Sequence, residues 1–213
     1  MGNAGAATTH DTHSHGVGHY DPAAGKIGMW LFLFTEVLLF GTLFIAFAVY
    51  LQKYRFDFRE ASGHLDKLIG ATNTGILLTS SLTMALAIAV LERSRKRLSL
   101  MLSAITILCA VAFLVIKSFE WRAKFEHDIY PKSATMLQKP VGEQMFYGLY
   151  FTMTGLHALH VIIGAVVIVF AMVLVRTGRT NAERITFLQN TGLYWHLVDL
   201  VWIFLFPLFY LIG

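Results

Sequence analysis

The stretch YWHLVDLVWIFLFP, Tyr194–Pro207, decides how this chain is read. It places His196 and Asp199 three residues apart in a run that is otherwise almost wholly apolar and aromatic. Two other stretches repeat the pattern. LFLFTEVLLFG, Leu31–Gly41, carries the lone acid Glu36, and TGLHALHVIIG, Thr154–Gly164, carries His157 and His160. Ionisable groups in runs suited to lipid are costly unless they face protein, pair or neutralise. Their presence asks for a helix bundle with a polar interior.

Composition agrees with a membrane setting. Of 213 residues, 56% are hydrophobic and 14% charged, against about a quarter charged in soluble domains. The mean hydropathy is +0.60. The net charge of +4 is spread over short loops rather than gathered on one face, which argues against nucleic acid as a partner. A single cysteine, Cys109, excludes an internal disulfide and a cysteine-based metal cluster. The first 25 residues are polar and His-rich with no apolar core, so no cleavable signal peptide is expected. His10, His13, His15 and His19 in that tail offer weak metal chelation at most. A solvated tail is the plainer reading.

A helical span needs about 20 mostly apolar residues. The pattern predicts an all-α, polytopic membrane protein: a bundle of five transmembrane helices over about 27–52, 68–91, 98–120, 143–175 and 185–212, within a membrane domain of 26–213 behind the tail of 1–25. The fourth span exceeds the need and predicts tilt or protrusion. Five spans put the termini on opposite sides. The compact basic loops ERSRKR, Glu92–Arg97, and RTGRTNAER, Arg176–Arg184, share the N-terminal side. The positive-inside rule then puts the N-terminus in the cytoplasm.

Depth follows from the rise of 1.5 Å per residue. Glu36, His196 and Asp199 lie roughly 14–18 Å from the cytoplasmic ends of their spans, and His157 and His160 roughly 22–27 Å. Both members of each i, i+3 pair share a helix face. Glu36 is expected against the helix carrying His157 and His160, with a hydrogen bond to one of them. His196 and Asp199 are expected in the same polar layer, with Asp199 orienting the His196 ring. A metal site would need the His-x-x-His and His-x-x-Asp pairs plus Glu36, but no Glu-x-x-His repeat supports one. No metal is expected in the bundle. The other readings are a proton relay and interhelical hydrogen bonds that fix the bundle. The residues by themselves favour the last. Lys117 and Glu120 read as polar groups at a helix end.

In order along the chain, KIGMWLFLFTEVLLFGTLF (Lys26–Phe44), NTGILLTSSLTM (Asn73–Met84), IKSFEW (Ile116–Trp121), TGLHALHVIIG and YWHLVDLVWIFLFPLFYL (Tyr194–Leu211) resemble cytochrome c oxidase subunit III, in its five-helix bacterial form. The resemblance implies a non-catalytic subunit of a proton-pumping haem–copper terminal oxidase in the bacterial plasma membrane. It implies haem and copper in partner subunits and none in this chain. Direct contact with subunit I follows, then subunit II, and small subunits or a respiratory supercomplex. Structural phospholipid is also implied. Glu36 then corresponds to an intramembrane acid that is uncharged or exchanges protons. Long members of the family have two further helices that complete a lipid cleft, and these are missing here. A quinol oxidase or a nitric-oxide-reductase-associated homologue is the alternative. Quinol-oxidase homologues are expected to carry aspartate at position 36, so Glu36 leans toward cytochrome c. A small proton-coupled transporter would need broken helices or an inverted repeat, and neither is evident.

Overall fold

The computed structural model describes residues 22–131, 133–177 and 182–213. The His-rich tail therefore lies outside the described residues, apart from its last few. Those described fold into helices with no strand among them. In chain order these are α1 (Pro22–Lys53), α2 (Arg55–Gly63), α3 (Lys67–Glu92), α4 (Lys96–Glu126), α5 (Ala134–Leu137), α6 (Val141–Thr177) and α7 (Ala182–Tyr210). Five of them, α1, α3, α4, α6 and α7, are long and apolar enough to cross a membrane. The five expected spans are present. The largest departure is at the third, which runs six residues past its expected end at position 120, to Glu126. The polar residues of its last turns had masked a continuing helix.

The two shortest helices were not anticipated. Asp66 caps α3 by accepting from the Leu68 and Ile69 amides, and Ser133 caps α5 by accepting from Met136. Both follow the usual N-cap chemistry. In α2, Phe58 is fully buried, 5.3 Å from the Phe47 ring and 5.4 Å from the Phe146 ring in edge-on contacts. That burial fixes a nine-residue helix across the end of the bundle, where composition alone suggested a loop.

α7 is the central stave, packed on α1, α3 and α6, while α4 packs on α3 and α6. α1 lies at the periphery and turns most of its apolar surface outward, Trp30, Leu31 and Phe34 among it. Small residues matter at particular crossings only. A Cβ at Gly164 would sit 2.8 Å from Trp195 Cε3, so this glycine lets α6 close on the fully buried indole of α7. Gly28, Gly41 and Gly148 face open space, so these glycines bring no helix close.

Hydroxyl side chains on α3 join helices. Thr83 Oγ1 meets Thr106 Oγ1 of α4 at 2.8 Å, and Trp202 Nε1 of α7 donates to Thr74 Oγ1 at 3.0 Å. Other hydroxyls, such as those of Thr72 and Thr79, bond back to their own helix.

Candidate functional site: polar groups inside the bundle

The first polar group joins α1 to α6. Glu36 Oε2 lies 2.9 Å from His160 Nε2, with side-chain exposures of 13% and 11%. The other ring nitrogen, Nδ1, lies 2.7 Å from the Leu156 carbonyl. A carbonyl can only accept, so Nδ1 carries a hydrogen. The contact with Glu36 then needs one proton of its own. Either an acid O–H donates to a neutral imidazole, or an imidazolium donates to a carboxylate. The pair carries no net charge in either form, and moving the proton across the bond interconverts them. A neutral pair is the form that a membrane interior tolerates. Phe40 covers the imidazole at 5.3 Å between centroids, and Tyr194 Oη donates to the His160 carbonyl at 3.1 Å.

His157 is one turn away and takes no part in that bond. Its ring is fully buried, 5.5 Å from Phe113 and 5.2 Å from Trp202, and neither nitrogen has a hydrogen-bond partner among the described residues. The i, i+3 spacing gives both histidines buried faces, but Glu36 meets only His160.

His196 and Asp199 face α3 instead. His196 Nδ1 lies 2.7 Å from Ser81 Oγ, and Asp199 Oδ2 lies 3.5 Å from Ser80 Oγ. Ser80 also donates to the Leu77 carbonyl at 2.7 Å and accepts from Trp195 Nε1 at 3.1 Å, so its contact with Asp199 is the weakest of the three. The adjacent serines of α3 thus engage both residues, with Ser81 reaching Asp199 as well as His196. Among the described residues no His196–Asp199 hydrogen bond forms; both side chains face hydroxyls of α3 instead. The expected single layer is two clusters, one between α1 and α6 and one between α3 and α7.

A third cluster is the most completely bonded. Lys117 Nζ donates to Glu120 Oε2 at 3.0 Å, to Tyr150 Oη at 2.9 Å and to Tyr210 Oη at 2.8 Å, which uses all three of its hydrogens. The two phenols donate on to Glu120 Oε1, at 2.6 Å from Tyr150 and 2.7 Å from Tyr210. Lys117 also lies 5.3 Å from the Trp202 ring centroid. Lys117 and Glu120 are not at a helix end: they tie α4 to α6 and α7 inside the bundle. Tyr150 and Tyr210 were missed in the sequence. The available signal was the Lys-x-x-Glu pair in one apolar helix, which calls for further donors.

Among the described residues, no three His, Cys, Asp or Glu side chains come together in a group that could hold a metal ion. His157, His160 and His196 each face a different neighbour, so the donor set of a metal centre is not assembled.

A five-span bundle with paired acid and imidazole at membrane depth defines a polytopic membrane protein with buried proton-binding groups. The profile of the cytochrome c oxidase subunit III family matches residues 65–213, and the chain belongs to that family of haem–copper oxidase subunits. Relatives matched over nearly their whole length extend the likeness to α1. The chain is 27% identical to "Probable quinol oxidase subunit 3" of Staphylococcus saprophyticus, over 96% of this chain and 97% of that one. It is 28% identical to "Cytochrome bo(3) ubiquinol oxidase subunit 3" of Pseudomonas aeruginosa, over 99% of this chain and 96% of that one. It is 30% identical to "Heme-copper oxidase subunit I+III" of Aeropyrum pernix over 88% of this chain, which spans only 22% of that larger protein.

Proposed function

We propose that this chain is a non-catalytic membrane subunit of a proton-pumping haem–copper terminal oxidase. It steadies subunit I, holds structural phospholipid and assists proton supply. Haem and copper belong to the partner subunits in this reading. The observation that carries it is the Glu36–His160 contact, a proton-sharing pair held inside a membrane bundle of the oxidase family. The Aeropyrum pernix relative is named as subunits I and III together, which supports direct contact with subunit I. Subunit II and small subunits or a supercomplex complete the assembly. The setting is the bacterial plasma membrane, with the N-terminus in the cytoplasm on the evidence of the two basic loops.

Glutamate rather than aspartate at position 36 favours cytochrome c as electron donor. The relatives matched over nearly their whole length are quinol oxidase subunits by name, which favours a second reading, in which quinol is the donor. Affinity purification of the chain from mild detergent tests both. Recovery of an oxygen-reducing haem–copper complex is expected. A dinuclear copper centre in a co-purified subunit II means cytochrome c, and a complex lacking it means quinol. Recovery of the chain alone, with proton-coupled solute uptake in vesicles, would sink the oxidase reading.

A further inference from the structure

A cavity of about 480 Å³ opens where α1, α3 and α7 meet. α1 packs on α6 and α7, and α3 packs on α4 and α7, so the cleft between α1 and α3 has α7 as its floor. Lys26 and Trp30 of α1, Ile88 of α3, and Gln189, Asn190 and His196 of α7 line it. Its mouth is at the end of the bundle where α1 and α7 begin and α3 ends. Two bonds frame that mouth. Gln189 Nε2 donates to Glu92 Oε1 at 2.8 Å, and Asn190 Nδ2 donates to the Gly25 carbonyl at 3.3 Å. His196 lies two helical turns beyond Gln189, roughly 10 Å further along α7. The cavity thus runs from the level of the Lys26 ammonium to an imidazole inside the bundle.

Behind that imidazole stands Asp199. It is only 3% exposed, and none of the ion pairs formed among the described residues includes it. Its neighbours are the Ser80 and Ser81 hydroxyls, and the Cys109 thiol of α4 lies close enough to feel its charge. A carboxylate with no cation beside it is costly in a membrane span, so Asp199 rests as the acid. His196 Nδ1 lies 2.7 Å from Ser81 Oγ, and Ser81 reaches Asp199 as well. The other ring nitrogen, Nε2, is engaged by no hydrogen bond among the described residues and is left for the cavity. An imidazole and a hydroxyl can each accept and donate. We propose that the cavity admits water and that His196 and Ser81 carry protons between that water and Asp199, a proton-exchange site separate from the Glu36–His160 pair. To load the acid, hydronium in the cavity gives a proton to Nε2, Nδ1 gives its hydrogen to Ser81 Oγ, and the Ser81 hydroxyl hydrogen passes to the Asp199 carboxylate. One proton leaves the water, one arrives at the acid, and the ring ends as the other neutral tautomer. Release runs the same steps in reverse. Glu36 and His160, on α1 and α6, take no part, so the two sites stand or fall independently.

The test uses the full chain in membranes, together with whatever subunits accompany it, so it does not depend on the electron donor or on oxidase activity. The infrared difference between the parent and Asp199→Asn locates the carboxylic acid band of Asp199. Transfer of the parent from light to heavy water then times the deuterium shift of that band. A shift within the mixing time is expected. His196→Phe should slow it about a hundredfold, the scale of a positioned proton-transfer group. Ala85→Trp, which places a ring in the cavity and leaves His196 and Ser81 in place, should slow it too. An unchanged amide band shows that each variant has folded. An acid band that stays unshifted in heavy water would overturn the proposal, and so would the absence of any acid band at Asp199. Equal rates in the parent and a folded His196→Phe would overturn it as well. The shift itself is read on the parent protein, so a folding defect in a variant does not decide the outcome.

Discussion

Glu36 Oε2 on α1 and His160 Nε2 on α6 meet at 2.9 Å, while the second nitrogen of the same ring is committed to the Leu156 carbonyl. One proton must therefore reside between the acid and the imidazole. Glu36→Gln keeps a donor for Nε2 at similar volume and should unfold within about 1 kcal/mol of the parent. Glu36→Ala leaves the imidazole unpaired and should cost about 1–3 kcal/mol. Thermal unfolding of both variants in one detergent checks the difference. Equal loss in both would mean that the bond contributes nothing to the fold.

The two histidines of α6 should respond differently to the same change. His157 has no hydrogen-bond partner among the described residues and packs on the Phe113 and Trp202 rings. His157→Leu is close to a volume-conserving swap and should cost under about 1.5 kcal/mol. His160→Leu strands Glu36 and should cost about 1–3 kcal/mol more than that. A larger effect at His157 than at His160 would reverse the assignment.

The Lys117 cluster should be the least replaceable polar group in the bundle. The side chains of Lys117 and Glu120 are only 2% and 6% exposed. Lys117→Met leaves Glu120 and two phenols around an uncompensated charge, at a cost of about 3–5 kcal/mol. Adding Glu120→Gln to Lys117→Met should recover part of that loss. A double variant less stable than Lys117→Met would contradict a charge-pairing role.

Glycine positions give a packing test with an internal control. Gly164→Ala forces a methyl to 2.8 Å from Trp195 and should cost about 1–3 kcal/mol. Gly148→Ala meets open space and should be neutral, or stabilising by up to about 1 kcal/mol, because alanine is the better helix former. Unfolding midpoints of the two variants settle the contrast.

Five spans and a buried polar interior were legible because hydrocarbon thickness dictates span length and because charges in lipid are costly. The resemblance drawn from Lys26–Phe44, Thr154–Gly164 and Tyr194–Leu211 placed the family. What stayed hidden was lateral. Periodicity says that His157 and His160 share a face, but which neighbour each meets depends on how α1, α4 and α7 surround α6. His196 and Asp199 looked like partners for each other because only their own helix was in view. Ser80 and Ser81 on α3 compete for them in three dimensions. The α4 C-terminus was read short because Glu120, Arg122 and Lys124 resemble a loop in composition, although Glu120 and Lys124 face the protein interior.

The most direct measurement is the lifetime of oxygen reduction during sustained turnover, compared between the purified parent complex and its Glu36→Gln form across pH. Glutamine preserves the contact with His160 but cannot release and regain the carboxyl proton. If the Glu36–His160 pair assists proton supply, the Gln complex should lose activity faster than the parent at high pH, where protons are scarce, and match it at low pH. Decay at the same rate as the parent at every pH would contradict that role and leave Glu36 as a packing element between α1 and α6.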